Sequence, residues 1–426
     1  MRLMTPILAV FALIAAQIPV YALDNGVAQT PPMGWNSWNK FGCDVSEKLI
    51  RETADAMVRS GMRDVGYQYI IVDDCWQVAR SADGTLVADP LRFPSGMKAL
   101  ADYVHARGLK FGLYSAAGDR TCQGRPGSRG HEAQDARSFA QWGVDYLKYD
   151  WCTFEKMDAP RAYTKMRDAL LATGRPILFS ICEWGQSKPA SWAATVGNMW
   201  RTTGDIADAF DREAMKGPPP GQPGGTLPPP PGMAGLPAGA PRLPPGTVLP
   251  EMGLGVLQIL DRQAGLARFA GPGGWNDPDM LEVGNGGMTD DEYRGHFALW
   301  AILGAPLIAG NDVRNMDAKT HAILTNAAVI RVSQDRAGKA GDRLARIGDA
   351  DIWGRRLENG GLATALLNRG TTSMEIRIDA KLLGLASGTW KLRDLWNDRD
   401  FGTLGDFRAF VVAPHSALML TIIPDG

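Results

Sequence analysis

The stretch that decides the fold is KFGLYSA (Lys110–Ala116), followed after 28 intervening residues by DYLKYD (Asp145–Asp150). Both runs are short, apolar and aromatic, as strands are, and the interval between them is long enough for a crossover helix. Working outward, the same beat recurs on both sides: Met33–Ser37 and Tyr67–Asp74 before it, then Ile177–Cys182, Met199–Thr203, Trp275–Asp277 and Ala305–Gly310 after it. Eight such segments alternating with helix-like stretches predict a closed (β/α)8 TIM barrel rather than an open doubly wound sheet, which usually has fewer strands and a glycine-rich first turn. The first helix is legible in detail. Ser46 is a capping residue, and Leu49, Ile50, Ala54, Met57 and Val58 follow at helical spacing.

Two segments break the rhythm. From Gly217 to Pro250, 21 of 34 residues are Pro or Gly and no apolar periodicity survives, which predicts a mobile surface insertion between the sixth and seventh strands. After about Asp335 the chain turns to short strand-like runs, including Leu362–Leu367, Met374–Ile378 and Ala409–Val412. These predict a small C-terminal antiparallel β-sandwich over 336–426, read as a structural appendage to an α/β catalytic barrel over 23–335.

At the N-terminus, Met1-Arg2, the apolar Ile7–Ala16 and the triplet Val20-Tyr21-Ala22 have the layout of a secretory signal peptide over 1–22, with cleavage before Leu23. The expected location is the periplasm or the medium, with no membrane attachment after cleavage. The 426 residues carry 45 Lys+Arg against 46 Asp+Glu, so no net field gathers nucleic acid or anionic lipid, and a neutral ligand is expected. The five cysteines, Cys43, Cys75, Cys122, Cys152 and Cys182, allow two disulfides and one free thiol, with a pairing that spacing alone leaves open. Five scattered histidines form no zinc-type cluster, and no phosphate-binding loop occurs, so the expectation is chemistry without metal or cofactor. Oligomeric state has no signature in the sequence.

In a (β/α)8 barrel the reactive groups gather at the C-terminal ends of the strands. There the sequence places Asp73, Asp74, Asp150, Glu183, Asp205, Asp277 and Asp279, together with Trp35, Trp38, Trp76, Trp151, Trp184, Trp200 and Trp275, seven of the thirteen tryptophans. A lone strand-end Asp is often a helix cap and a lone Trp is usually core, but several acids beside flat aromatic faces suit a sugar, with its many hydroxyl donors and apolar C–H faces. Asp150 and Asp205 could act as the two carboxyl groups of glycoside hydrolysis. Lys148 and Asp150 lie two apart on a strand and share a face, so the ammonium is expected to keep Asp150 ionised. Two other readings of Lys148 stay open here, an ordinary structural ion pair and a Schiff-base lysine of an aldolase-like barrel.

The motifs PPMGWNSWNKFGC (Pro31–Cys43), YIIVDDCW (Tyr69–Trp76), GLYSAAGDRTC (Gly112–Cys122), DYLKYDWC (Asp145–Cys152), CEWG (Cys182–Gly185), WRTTGDI (Trp200–Ile206) and GPGGWNDPDML (Gly271–Leu281), in this order, resemble glycoside hydrolase family 27, the α-galactosidases or melibiases. The resemblance implies an exported retaining enzyme that removes terminal α-linked galactose by double displacement. Asp150 would be the nucleophile and Asp205 the acid/base. Asp73 and Asp74 would bind the 4- and 6-hydroxyls, Lys148 the 3- and 4-hydroxyls, and Arg201 the region of the 2-hydroxyl. Trp35 would supply a wall, and Cys122, Cys182, Glu183, Trp184, Asp279 and Met280 would complete the pocket. It also implies the disulfides Cys43–Cys75 and Cys122–Cys152. Relatives that accept a 2-acetamido group have small residues in place of Glu183, and β-L-arabinopyranosidases carry Glu in place of Asp73, so both positions favour galactose. The competing expectations are those two related glycosidases and a non-catalytic galactose-binding protein. The Gly217–Pro250 insertion departs from the family pattern and bears on the leaving-group side.

Overall fold

The computed structural model describes residues 23–152, 157–214 and 251–425. The expected leader and the Pro/Gly-rich insertion lie outside the described residues. Among those described, no helix is long and apolar enough to cross a membrane.

Eight short strands form one parallel sheet: β1 (Met33–Asn36), β2 (Tyr69–Val72), β3 (Lys110–Ala116), β4 (Tyr146–Asp150), β5 (Leu178–Cys182), β6 (Met199–Arg201), β7 (Trp275–Asp277) and β8 (Leu307–Ala309). The spatial order is β8-β1-β2-β3-β4-β5-β6-β7. The ring closes one step beyond β7. Pro278 has no N–H to give a ladder, and the chain bends before Leu281 makes a parallel bridge to Ala309, donating its N–H to Ile308 O at 2.8 Å and accepting from Gly310 N at 3.0 Å. Each predicted strand is present: Lys110–Ala116 and Trp275–Asp277 have the expected bounds, and the other six are shorter by one or two residues at an end where loops take over.

The connections are mostly amphipathic helices laid on the outside of this ring. Ser46 Oγ accepts from Leu49 N at 3.3 Å and starts α1 (Glu47–Arg59), whose Leu49, Ile50, Ala54 and Met57 are buried. Then follow α2 (Gly96–His105), α3 (Glu132–Trp142), α4 (Ala159–Leu171), α5 (Val256–Gln263), α6 (Asp290–Leu303), α7 (Ala318–Leu324) and α8 (Ala327–Ser333). The fifth unit departs from the expected alternation. Between β5 and β6 the chain makes only two single 3-10 turns, Pro189–Ser191 and Ala193–Thr195. Pro189 lacks a donor, and sixteen residues between strands, several of them tied to the rim, leave little length for a regular helix.

The C-terminal part is a sandwich. Its larger layer is antiparallel, β9 (Asp342–Ile347), β10 (Ala350–Arg356), β11 (Leu362–Asn368), β13 (Trp390–Asp394), β14 (Arg399–Thr403) and β16 (Ala417–Pro424), in the order β9-β10-β11-β16-β13-β14. It faces the pair β12 (Met374–Ile378) and β15 (Arg408–Val412) across a core that includes Ile352, Leu366, Ile376, Phe410 and Ile422. Alternation along β10 makes the joint with the barrel: Ile352 enters the sandwich core, whereas Trp353 enters the barrel's. Asp261 on α5 pairs with Arg343 at 2.6 Å and with Arg369 at 2.9 Å, adding charge to that joint.

Candidate active site

The strand ends place the acids as anticipated, and the contacts sort them into two groups. On the β2 and β4 side, Asp73 Oδ2 accepts from Asn36 Nδ2 at 2.7 Å and from Lys148 Nζ at 2.8 Å, while its Oδ1 accepts from Asp74 N at 2.9 Å. Asp74 accepts in turn from Cys75 N (2.6 Å) and Thr121 Oγ1 (2.8 Å) on Oδ1 and from Gln123 N (2.9 Å) on Oδ2. Burial pushes Asp74 up to about 6 despite those donors. Lys148 also lies 5.3 Å from the centre of the Tyr114 ring. Burial works against its ammonium, yet Asp73, Cys182 and Asp150 together hold it charged well above the ordinary lysine range. A Schiff-base lysine needs the opposite shift, so that reading of Lys148 is not supported.

Asp150 ends β4, buried, with Oδ1 accepting from Trp151 N at 2.8 Å. The sequence led to an ionised Asp150, but its carboxyl is pushed up to about 7: burial is the largest influence, Lys148 acts against it, and the charge of Asp205 adds to it. The ammonium is committed to Asp73 by a direct bond, so it offsets only part of Asp150's lost hydration. Asp150 lies near the disulfide Cys122–Cys152, and Cys43–Cys75 flanks Asp74. The atoms of Cys122, Asp150 and Cys152 lie within 4.8 Å of one another, but both sulfurs are bonded to each other and cannot act as thiolate ligands.

On the β5, β6 and β7 side, Arg201 is the hub. It is 3% exposed. Its guanidinium pairs with Asp279 at 2.8 Å and Asp205 at 3.1 Å, donates to Thr203 O at 3.2 Å, and lies 3.7 Å from the sulfur of Cys182. Cys182 is the free thiol, buried, with its pKa raised by that burial. Asp279 Oδ2 also accepts from Ile206 N at 2.7 Å, which ties the β7 loop to the residue after Asp205. Burial raises Asp279 to about 7, with Arg201 opposing. Glu183 has no exposed surface. Its Oε2 accepts from Ser187 N at 2.6 Å, and burial raises its carboxyl to about 7. Trp184 is half-buried beside it, Met280 is buried beside Asp279, and Trp35 donates Nε1 to Asn311 O at 2.7 Å. Three residues just past strand ends sit in the left-handed region, Cys75 at φ 77°, Trp184 at 56° and Asp279 at 94°. For side chains of this size that costs about 1–3 kcal/mol each and is characteristic of functional rims.

Asp205 is held by its backbone as much as by Arg201. Its carbonyl accepts from Leu254 N at 3.0 Å, Ile206 bridges Leu254 in parallel, and a Cβ on Gly204 would fall 1.3 Å from Glu251 O. Residues 251–254, where the chain returns from the insertion, are thus part of the site. Sequence reasoning did not single out their role, nor the supporting Asn36, Thr121, Gln123 and Tyr114. Thr121 and Gln123 flank Cys122, and Asn36 follows Trp35, so neighbourhood to a motif was the signal available. Asp277, seen among the strand-end acids but not assigned to the pocket, supports it: its Oδ1 accepts from Asp279 N at 2.9 Å, and burial raises its pKa.

The family profile described as Alpha galactosidase A matches residues 30–215 and 255–335, and that of the Alpha galactosidase C-terminal beta sandwich domain matches 347–422. The chain belongs to the α-galactosidase (melibiase) family. Within that family it is 46% identical over 409 residues to Alpha-galactosidase A of Cellvibrio japonicus, covering 93% of each chain. It is 44% identical over 407 residues to the Alpha-galactosidase of Cyamopsis tetragonoloba, covering 95% of this chain and 89% of that one. Among melibiase-fold structures, alpha-galactosidase I of Mortierella vinacea superposes with a TM-score of 0.84 at 38% identity, covering 94% and 98%. The α-galactosidase of Saccharomyces cerevisiae with raffinose does so at 0.84 and 33% identity, covering 94% and 99%.

Proposed function

We propose that this chain is an exported retaining α-galactosidase, a glycoside hydrolase that removes terminal α-linked D-galactose from oligosaccharides, galactomannans or glycoconjugates. Family membership supports the activity, and the observation that carries the mechanism is the pair Asp150 and Asp205: two carboxyl groups on β4 and after β6, coupled by charge, one deep beside Lys148 and one 29% exposed toward the entrance. In the first step a carboxylate oxygen of Asp150 attacks the anomeric carbon as the glycosidic C–O bond breaks. Asp205 gives its proton to the departing oxygen. In the second step Asp205 takes a proton from water, the water oxygen bonds to the anomeric carbon, and Asp150 leaves as carboxylate. Two inversions give net retention.

Lys148, Asp73 and Asp74 present one donor and two acceptors to the hydroxyls of the sugar, and the Arg201–Asp279 pair shapes the side near Asp205. The yeast relative was captured with raffinose, whose terminal sugar is α-linked galactose, and we extend that class of substrate to this chain. The test is hydrolysis of p-nitrophenyl α-D-galactopyranoside by the mature protein and by Asp150→Ala with and without azide. Turnover by the wild type, its loss in the variant and rescue as β-galactosyl azide are expected, because a small anion fits where the carboxylate was. Recovery of the α-azide, or no rescue with turnover intact, would remove Asp150 from the nucleophile's role.

A further inference from the structure

His415 sits in the turn between β15 and β16 with φ 51°, in the left-handed region that few residues other than glycine, asparagine, aspartate and histidine enter. That backbone turn delivers the ring to the barrel. The imidazole stacks on Phe210, with centroids 5.3 Å apart and planes at 25°, and its Nδ1 is 2.9 Å from Glu292 Oε1. Glu292 is already fixed by the capping box of α6, where its other oxygen accepts from Thr289 N at 2.7 Å. The ring is therefore clamped at one edge by a rigid helix end and lies flat on Phe210.

Phe210 is buried and five residues beyond Asp205. The segment between them lies pinned along one side: Ala207 N donates to Leu254 O at 2.8 Å, Ala209 O accepts from Val256 N at 3.0 Å, and Phe210 O accepts from Leu257 N at 2.9 Å. Asp208 is bound at 2.8 Å by the Tyr293 hydroxyl of the same α6. From the other domain, His415 adds its ring contact with Phe210. We infer that His415 is a positioning residue for the acid/base, through which the sandwich holds the Asp205–Phe210 loop in register. The sandwich is then more than an appendage. The inference rests on the reading of Asp205 as acid/base.

Such a role predicts a selective defect. A displacement of the acid by about 1 Å can cost on the order of a hundredfold where proton donation is needed, and little where the leaving group departs as a stable anion. The experiment compares kcat/KM of wild type and His415→Gly on raffinose and on 2,4-dinitrophenyl α-galactopyranoside. Glycine adopts φ 51° without strain, so the turn is preserved while the ring is lost. A fall of about tenfold or more on raffinose, with less than about twofold on the dinitrophenyl substrate, is expected. An equal fall on both, or no fall on either, overturns the inference. His415→Asn tolerates the same backbone and retains a short donor but no ring, so it should share the glycine variant's selectivity; wild-type behaviour in Asn would also overturn it. Asp205→Ala separates the two levels. If it shows no leaving-group dependence, the acid/base reading fails. If it shows that dependence and His415→Gly does not, only the role of His415 fails.

Discussion

Replacing the proposed nucleophile by its neutral isostere should stabilise the protein while abolishing turnover. In the fold, burial pushes the Asp150 carboxyl up to about 7, from 3.8 for the ordinary group. A folded value above the unfolded one means the native state binds the extra proton between these limits. Below pH 3.8 both states are protonated and the group costs nothing; as pH rises the unfolded chain gains by ionising while the native carboxyl cannot, until about pH 7, above which the penalty is constant. Three units at about 1.36 kcal/mol each give a plateau of about 4 kcal/mol. Asn must still place an amide beside Lys148, which keeps its 2.8 Å bond to Asp73, and we assign about 1–2 kcal/mol to that mismatch. Asp150→Asn should therefore melt above the wild type at pH 8 by the equivalent of about 2–3 kcal/mol. The margin should shrink by about 1.4 kcal/mol per pH unit on acidification below 7. Paired thermal or urea denaturation of wild type and variant from pH 5 to 8 reads this directly. A margin independent of pH, or a variant less stable at pH 8, would refute the argument that burial outweighs Lys148 at this position.

Gly204→Ala should lower kcat/KM on raffinose, whose leaving sugar must be protonated, by about a hundredfold, because its methyl would meet Glu251 O at 1.3 Å and one of the two backbones flanking Asp205 must move; near wild-type kinetics on raffinose would show that the 251–254 segment does not set the acid/base. Lys148→Met should remove activity by about a hundredfold or more, and borohydride with substrate should leave wild-type activity unchanged; inactivation on reduction would return the Schiff-base lysine to consideration. Deleting Gly217–Pro250 while keeping Glu251–Leu254 should leave turnover of a small aryl α-galactoside intact, and a loss beyond about tenfold, roughly 1.4 kcal/mol in barrier, would count against a peripheral insertion.

The sequence by itself determined the barrel, because periodicity and strand spacing are local properties: a run such as DYLKYD states its own conformation and which of its side chains share a face. It also determined where the acids would lie, since Asp73, Asp74, Asp150 and Asp279 are fixed to strand ends by a residue or two of chain. The family motifs implied the disulfide partners that spacing left open. The tertiary structure alone decided what those acids do to one another. Lys148 answers to Asp73, 75 positions earlier, rather than to its strand neighbour Asp150; Arg201 joins Asp205 to Asp279; and the chain after the insertion returns to hold Asp205 in place. The fifth helix vanished, the barrel closed through Leu281 rather than β7, and His415 reached Phe210 across domains for the same reason. Burial and charge coupling depend on distances between residues remote in sequence, and those distances exist only once the chain has packed.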